Sequence, residues 1–222
     1  MPSDDRERQR VLGMAREGLR FLVPLAGIAG VAFALGLPWL GVPVLVLAAG
    51  VAGFFRDPER VPPPISDAVL APADGKVVEV IPFGGWRGQG GEPLTQIGIF
   101  MSPLDVHVNR APAAGTVEAV ERRPGRFLAA WDPAASLQNE QALIRLRTAA
   151  GDIWVKQIAG VLARRIVTWV RPGDKLEAGE RFGLIRFGSR VDLILPARFS
   201  VQVRPGQRAL AGVTVVALLS VP

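Results

Sequence analysis

From Phe21 to Phe55 the chain carries no charged residue over 35 positions. A helix needs only about 20 apolar residues to cross the hydrocarbon core of a bilayer. Gly36-Leu37-Pro38-Trp39-Leu40-Gly41 interrupts the run with turn formers and an interfacial type of Trp. The pattern predicts two short apolar helices, roughly residues 19–36 and 40–55, folded into a hairpin that spans or dips into a membrane. A buried core hairpin is the competing reading. A cleavable leader ending near Ala32-Phe33-Ala34 is disfavoured, because a second apolar segment follows at once. The chain divides into a polar segment (1–20), the hydrophobic hairpin (21–55), a stiff Pro-rich linker (56–64) and a β-rich domain (65–222).

Within that last region, short Val/Ile/Leu runs alternate with Gly and Pro turns, and two phrases repeat. Ala71-Pro72-Ala73-Asp74-Gly75-Lys76-Val77 returns as Ala111-Pro112-Ala113-Ala114-Gly115-Thr116-Val117. Arg171-Pro172-Gly173 with Ala178-Gly179 returns as Arg204-Pro205-Gly206 with Ala211-Gly212, at the same internal spacing. Repeated turn-strand-turn phrases predict a mainly β (α+β) fold, a pseudo-symmetric β-sandwich or hybrid-type barrel behind a helical hairpin. Helical periodicity is weak outside the hairpin, with short candidates at Pro133–Leu137 and Ser102–Asp105. Residues 84–93 are Gly-rich and predict a mobile loop; a phosphate loop there lacks the Lys-Ser/Thr ending and a following helix.

Composition narrows the chemistry. The absence of Cys excludes disulfides and thiolate metal sites, and a single His makes a zinc site improbable, so no metal is expected. The net charge of +6 is carried mostly by Arg. It reflects either an Arg-rich genome or attraction to an anionic surface. No aromatic and basic residues interleave as in an RNA-binding surface, so a membrane is the expected partner and nucleic acid is not. Arg residues flank both ends of the hairpin, which predicts both ends on the cytoplasmic side of the cell membrane.

Three residues in distinctive local sequences could form a serine-activating relay. Asp74 lies in Ala73-Asp74-Gly75, His107 in Val106-His107-Val108-Asn109-Arg110, and Ser189 in Phe187-Gly188-Ser189-Arg190. Each has a plainer reading: a turn-forming Asp, a structural His, a Gly-Ser turn. The Gly-x-Ser-x-Gly elbow of α/β-hydrolases is absent, because positions 187 and 191 are Phe and Val. The Gly preceding Ser189 suggests another use of the relay, in which the serine attacks its own chain.

Taken in order, Phe54-Phe55-Arg56-Asp57-Pro58, Ala71-Pro72-Ala73-Asp74-Gly75, Val106-His107-Val108-Asn109-Arg110, Ala163-Arg164-Arg165-Ile166-Val167 and Phe187-Gly188-Ser189-Arg190 resemble the phosphatidylserine decarboxylases of the short bacterial and archaeal type. The resemblance covers nearly the whole chain. It implies a precursor that cleaves itself between Gly188 and Ser189, with Asp74, His107 and Ser189 as catalytic residues. It also implies that Ser189 becomes a pyruvoyl group, a covalent cofactor that serves as electron sink when phosphatidylserine loses CO2 to give phosphatidylethanolamine. The two chains are then expected to stay associated at an anionic membrane surface, and a homo-oligomer is left open. Arg56, Arg60 and Arg87 are candidates for headgroup phosphate contact. Two alternatives stand beside this reading: a membrane-anchored serine hydrolase using the same triad, and a non-enzymatic hybrid-barrel carrier presenting Lys175.

Overall fold

The computed structural model describes residues 10–132, 134–161, 165–186 and 189–220. A small ribbon of β1 (Arg10–Val11) and β2 (Met14–Ala15) leads through a 3-10 turn into α1 (Leu19–Ala34). Gly36, with φ of +70°, turns the chain into α2 (Pro38–Phe54), which starts with Pro at its first position. The two helices have 16 and 17 residues. At about 1.5 Å per residue each is ~25 Å long, slightly short of a ~30 Å hydrocarbon core. They meet closely at Gly41, where a Cβ would stand 2.7 Å from the Phe33 ring. Val23, Ile28, Val31, Trp39, Val46 and Leu47 point outward and are exposed. The segment Arg16–Ala34 is long and apolar enough to cross a membrane.

The remainder is mainly β, as its alternating pattern predicts. In chain order the strands are β3 (Ala68–Leu70), β4 (Gly75–Phe83), β5 (Leu94–Met101), β6 (Val108–Arg110), β7 (Gly115–Arg123), β8 (Gln141–Thr148), β9 (Gly151–Ile158), β10 (Arg165–Thr168), β11 (Lys175–Leu176), β12 (Arg181–Arg186), β13 (Ser189–Pro196), β14 (Phe199–Val201), β15 (Arg208–Ala209) and β16 (Val215–Leu219). One short helix, α3 (Ala135–Gln138), precedes β8. It falls where helical periodicity was expected, although Pro133 lies outside the described residues; Ser102–Asp105 forms only a turn, closed by the Asp105 N–H on the Ser102 carbonyl at 2.9 Å.

An eight-stranded sheet runs in the order β11-β7-β8-β9-β13-β5-β4-β15. Two three-stranded sheets, β10-β12-β6 and β14-β16-β3, complete the fold. The period-2 rule assigns one face of the large sheet to the core. Ile97, Ile99, Ile144, Val155, Val191 and Leu193 point there and meet Val69, Ile166, Phe182, Ile185 and Val216 of the small sheets. On the other face, Leu143, Trp154 and Ile194 are covered by Phe83 and Trp86. The Gly-rich segment 84–93 is thereby seated on the sheet, with Gln89 donating to Asp152 at 3.0 Å.

The repeated phrases occupy equivalent places. β4 and β7 each follow one copy of the Ala-Pro-Ala phrase, and each carries a register shift, between Val77 and Glu79 and between Val117 and Ala119. The Gly206 N–H donates to the Val77 carbonyl and the Gly173 N–H to the Val117 carbonyl, both at 2.8 Å. Likewise Gly212 N–H reaches the Ala71 carbonyl at 2.9 Å and Gly179 N–H the Ala111 carbonyl at 2.8 Å. Each Arg-Pro-Gly phrase thus clasps one Ala-Pro-Ala phrase, which accounts for the pseudo-symmetry.

The foot of the hairpin is built into the β region. Ala15, Phe54 and Phe55 form a cluster with Val106, Val108, Trp169 and Leu184, and the Trp169 indole N–H donates to Glu17 at 2.9 Å. Phe55→Ala is therefore expected to cost about 3–5 kcal/mol. In detergent, that lowers the melting temperature by roughly 10 °C, whereas Trp39→Ala at the exposed hairpin turn leaves it unchanged. Equal melting of the two variants would mean that the foot contributes nothing to the folded core.

Candidate active site

Ser189 opens β13, a central strand of the large sheet. It pairs in register with Met101 of β5, and β13 is bonded on its other side to β9. The strand before it in the chain, β12, belongs to a different sheet. Gly188, the expected cleavage partner, and Phe187 lie outside the described residues, as do Ala163 and Arg164. The Ser189 side chain shares the core-facing side of the sheet with Val191 and Leu193, by alternation along the strand. It is 0% exposed, and its hydroxyl is buried without a hydrogen-bond partner. A buried polar atom left unpaired is costly and marks either strain or chemistry.

His107 immediately precedes β6, which lies beside β12; the Ile185 N–H donates to the His107 carbonyl at 3.3 Å. The topology therefore sets His107 beside β12, the strand that precedes β13 in the chain. The His107 Nδ1–H donates to the Asp105 carbonyl at 2.9 Å, which leaves Nε2 as the basic nitrogen. The ring lies against Phe54, 4.2 Å between centroids, at the hairpin's foot. Burial holds its pKa down at about 4, against the opposing pull of Asp105 and Asp74. The group is a neutral imidazole at neutral pH, as a general base requires.

Asp74 is placed differently from a simple relay. Its carboxylate is gripped by the Arg60 guanidinium at 2.5 and 2.7 Å, and Oδ1 also accepts the Ala211 N–H at 2.8 Å. In a serine-activating relay the carboxylate accepts the imidazole N–H; here the His107 Nδ1–H goes to the Asp105 carbonyl, and Asp74 acts on His107 through charge. Asp105 is in turn held by Ser102 at 2.8 Å and by Arg208.

The first residues of the stiff linker expected over 56–64 are pinned to the β region. Asp57 is 1% exposed and lies between Arg110 (3.0 Å) and Arg181 (2.6 Å). Of the three arginines proposed for headgroup contact, Arg60 is spent on Asp74. Arg56 is exposed beside the hairpin's foot and donates to the Gly53 and Leu104 carbonyls. Arg87 lines a cavity of about 400 Å³ with Trp86, Asp152 and Trp154, on the side of the sheet away from the core; none of Asp74, His107 and Ser189 lines it.

Two further polar groups surround Ser189 without having been read from the sequence. On its own face, Gln157 donates to Asn109 Oδ1 at 2.8 Å and accepts from Thr168 at 3.1 Å, while Asn109 approaches the Met101 sulfur. A Gln at a core-facing position of β9, in alternation with Ile153 and Val155, was the available signal. On the opposite face, Arg190 bonds to Asp192 at 2.5 Å and to Glu79, and Lys156 reaches Ser136 at 2.8 Å and Asp192 at 3.3 Å. Burial opposes the Arg190 charge, but Asp192 and Glu79 outweigh it and raise its pKa; burial lowers that of Lys156 despite Asp192. These ion pairs clamp β13 at the residue after Ser189. Among the described residues no group of three or more His, Cys, Asp or Glu is placed to hold a metal ion.

Comparison with known proteins adds the family. A family model described as phosphatidylserine decarboxylase matches residues 47–217. The phosphatidylserine decarboxylase proenzyme of Symbiobacterium thermophilum is 48% identical over 208 residues, which is 93% of this chain and 95% of that protein.

Proposed function

The chain belongs to the phosphatidylserine decarboxylase family, and from that premise we propose that it is a precursor that cleaves itself between Gly188 and Ser189 and uses the pyruvoyl group so formed. It is a lyase that converts phosphatidylserine to phosphatidylethanolamine and CO2. The observation that carries the self-cleavage is the buried, unpartnered hydroxyl of Ser189, with a neutral His107 bonded through its carbonyl to β12, the strand that precedes it in the chain. His107 takes the hydroxyl proton, and Oγ attacks the Gly188 carbonyl carbon, turning the peptide into an ester. Loss of the α-proton then breaks the Cβ–O bond, releasing the chain ending at Gly188 as a carboxylate and leaving dehydroalanine at 189. Water replaces the nitrogen as ammonia and leaves the keto carbonyl.

The residues present fit such a group. Position 189 is enclosed, its hydroxyl makes no hydrogen bond, and it begins a strand held on both sides. When formed, the pyruvoyl carbonyl accepts the substrate amine and draws electrons from the breaking carboxylate bond. In this reading His107 returns a proton to the substrate's α-carbon, and the strand clamp at Arg190 and Asp192 keeps the new terminus from moving. Because β13 lies inside the large sheet, the short chain stays bonded to the long one.

The location follows the same geometry. His107 touches Phe54, where the hairpin meets the β region, so the reactive centre sits at the level at which a lipid headgroup would stand. The exposed apolar flanks of the hairpin enter the bilayer, and the Arg residues at its foot face the anionic cytoplasmic leaflet.

Denaturing electrophoresis and intact mass of the purified protein test the proposal. Two chains, 1–188 and 189–222, are expected, the short one refractory to amine-directed sequencing because a pyruvoyl terminus has no amine. An active, uncut chain labelled at Ser189 by a fluorophosphonate would overturn it in favour of a serine hydrolase.

A further inference from the structure

Ser189 faces a row of side-chain amides that the self-cleavage as described does not use. Met101 of β5 is its partner in register, and Gln157 of β9 is the partner of Val191. Paired residues share a face of the sheet, and Gln157 alternates with Ile153 and Val155 on the core side. Across the core, Thr168, Gly183 and Asn109 stand in one row of the small sheet β10-β12-β6. Gly183 leaves the middle of that row open: a Cβ there would stand 3.2 Å from the Gln157 amide nitrogen. Gln157 therefore lies across the gap, accepting from Thr168 Oγ1 at 3.1 Å and donating to Asn109 Oδ1 at 2.8 Å.

These two bonds fix which way the Asn109 amide points. Its oxygen faces Gln157, so its nitrogen faces the other way, where it meets the Met101 sulfur at 3.8 Å. The Asn109 carboxamide thus reaches from a side chain of β9 to a side chain of β5. Strand β13 runs between those two, about 4.8 Å from each. The amide therefore crosses the core face of β13 where Ser189 and Val191 stand. Asn109 is 0% exposed, and its nitrogen carries two hydrogens. A thioether is a weak acceptor, and among the described residues no stronger one meets that nitrogen. The carbonyl that Ser189 attacks is bonded to the Ser189 nitrogen, so its oxygen takes up negative charge no more than about 2.6 Å from that atom. We propose that the Asn109 Nδ2–H donates to this oxygen as Oγ adds, stabilising the oxyanion of self-cleavage, a role that rests on the reading of Ser189 as nucleophile. A preorganised donor in a site closed to water favours such charge most. Gln157 and Thr168 hold the amide in the donating orientation. Asn109 stands two residues after His107, so one segment supplies both base and donor.

Freshly translated full-length precursor in detergent micelles tests this, its loss followed on denaturing gels. Asn109→Leu keeps the shape and removes the donor, and cleavage is expected to slow about 10²–10³-fold. The same change strands the Gln157 N–H in the core and lowers stability, whereas replacing both partners by apolar groups is nearly neutral. The double variant Asn109→Leu/Gln157→Leu, placed in the uncut Ser189→Ala chain, is therefore expected to regain the melting temperature of its parent. In the cleavable chain the same double variant should remain as slow as Asn109→Leu alone. Should either leucine variant not fold, Asn109→Ala carries the rate comparison, with the same slowing expected. Cleavage by Asn109→Leu or Asn109→Ala at the unmutated rate overturns the proposal. So does a double variant whose cleavage recovers together with its melting temperature, since that marks a network that only holds the fold. Two chains from Ser189→Ala would overturn the nucleophile reading itself and the proposal with it, an outcome told apart because it needs no change at Asn109.

Discussion

Ser189→Ala is expected to yield a single uncut chain with no measurable decarboxylation and an unchanged fold. The hydroxyl it removes is buried and makes no hydrogen bond, so its loss leaves no partner stranded. Deleting an unsatisfied buried polar atom is neutral or mildly stabilising, within about 1 kcal/mol. The backbone pairing of β13 with β5 and β9 is indifferent to the side chain. Folding and chemistry are thereby separated in one variant. Electrophoresis reads cleavage, CO2 release reads turnover, and a thermal melt of the uncut chain reads stability. Two chains from Ser189→Ala would show that another group cuts the backbone, and the assignment of Ser189 would have to be withdrawn.

His107→Ala is the second large effect: precursor cleavage is expected to slow by about 10²–10⁴-fold. The Asp105 carbonyl holds the proton on Nδ1, so no change of tautomer is needed before Nε2 accepts one from Ser189. The pH dependence follows from burial. With a pKa of about 4, His107 stays an effective base down to mildly acidic pH, so cleavage by the unmutated chain should be flat from pH 8 to about 5.5 and fall below that. Stability moves in the same direction. The folded-state pKa lies below the unfolded value of 6.5, so between those values the unfolded chain binds the extra proton. The contribution of a neutral His107 is complete above about pH 6.5 and is lost as pH falls toward 4. Because the imidazole also packs on Phe54, part of any loss in His107→Ala is steric. His107→Gln, which retains most of the volume and no basicity, separates the two. Cleavage by His107→Gln at the unmutated rate would mean that another group deprotonates Ser189.

The hairpin and the β texture were legible because both are written at short range. A 35-residue uncharged run broken by Gly36-Leu37-Pro38 can hardly form anything but two apolar helices. The β4 and β7 strands, and the Arg-Pro-Gly turns that clasp them, were visible as repeated phrases, since equivalent turns demand the same residues. The helical signal near Pro133–Leu137 shrank to one turn, Ala135–Gln138, for want of a long apolar stripe. Asp74, His107 and Ser189 could be singled out by their local phrases, but their partners could not. Asp105 lies two residues from His107, yet it acts through its backbone carbonyl, which no side-chain pattern announces.

By itself, then, the sequence determined the apolar hairpin, the mainly β, pseudo-symmetric domain and the identity of the reactive candidates, because hydrophobic period, turn chemistry and local motifs act within a few residues. Only the tertiary structure decided which charges meet. Arg60 reaches Asp74 across 14 positions, Arg110 reaches Asp57 across 53, and Arg181 reaches the same carboxylate across 124. The chain offers 23 arginines as partners for any acid, and no local pattern ranks them. The choice falls to the strand order, which seats the start of the linker against β6 and β12, and to burial. Removal from water makes a few ion pairs compulsory and leaves the many exposed arginines without a fixed role.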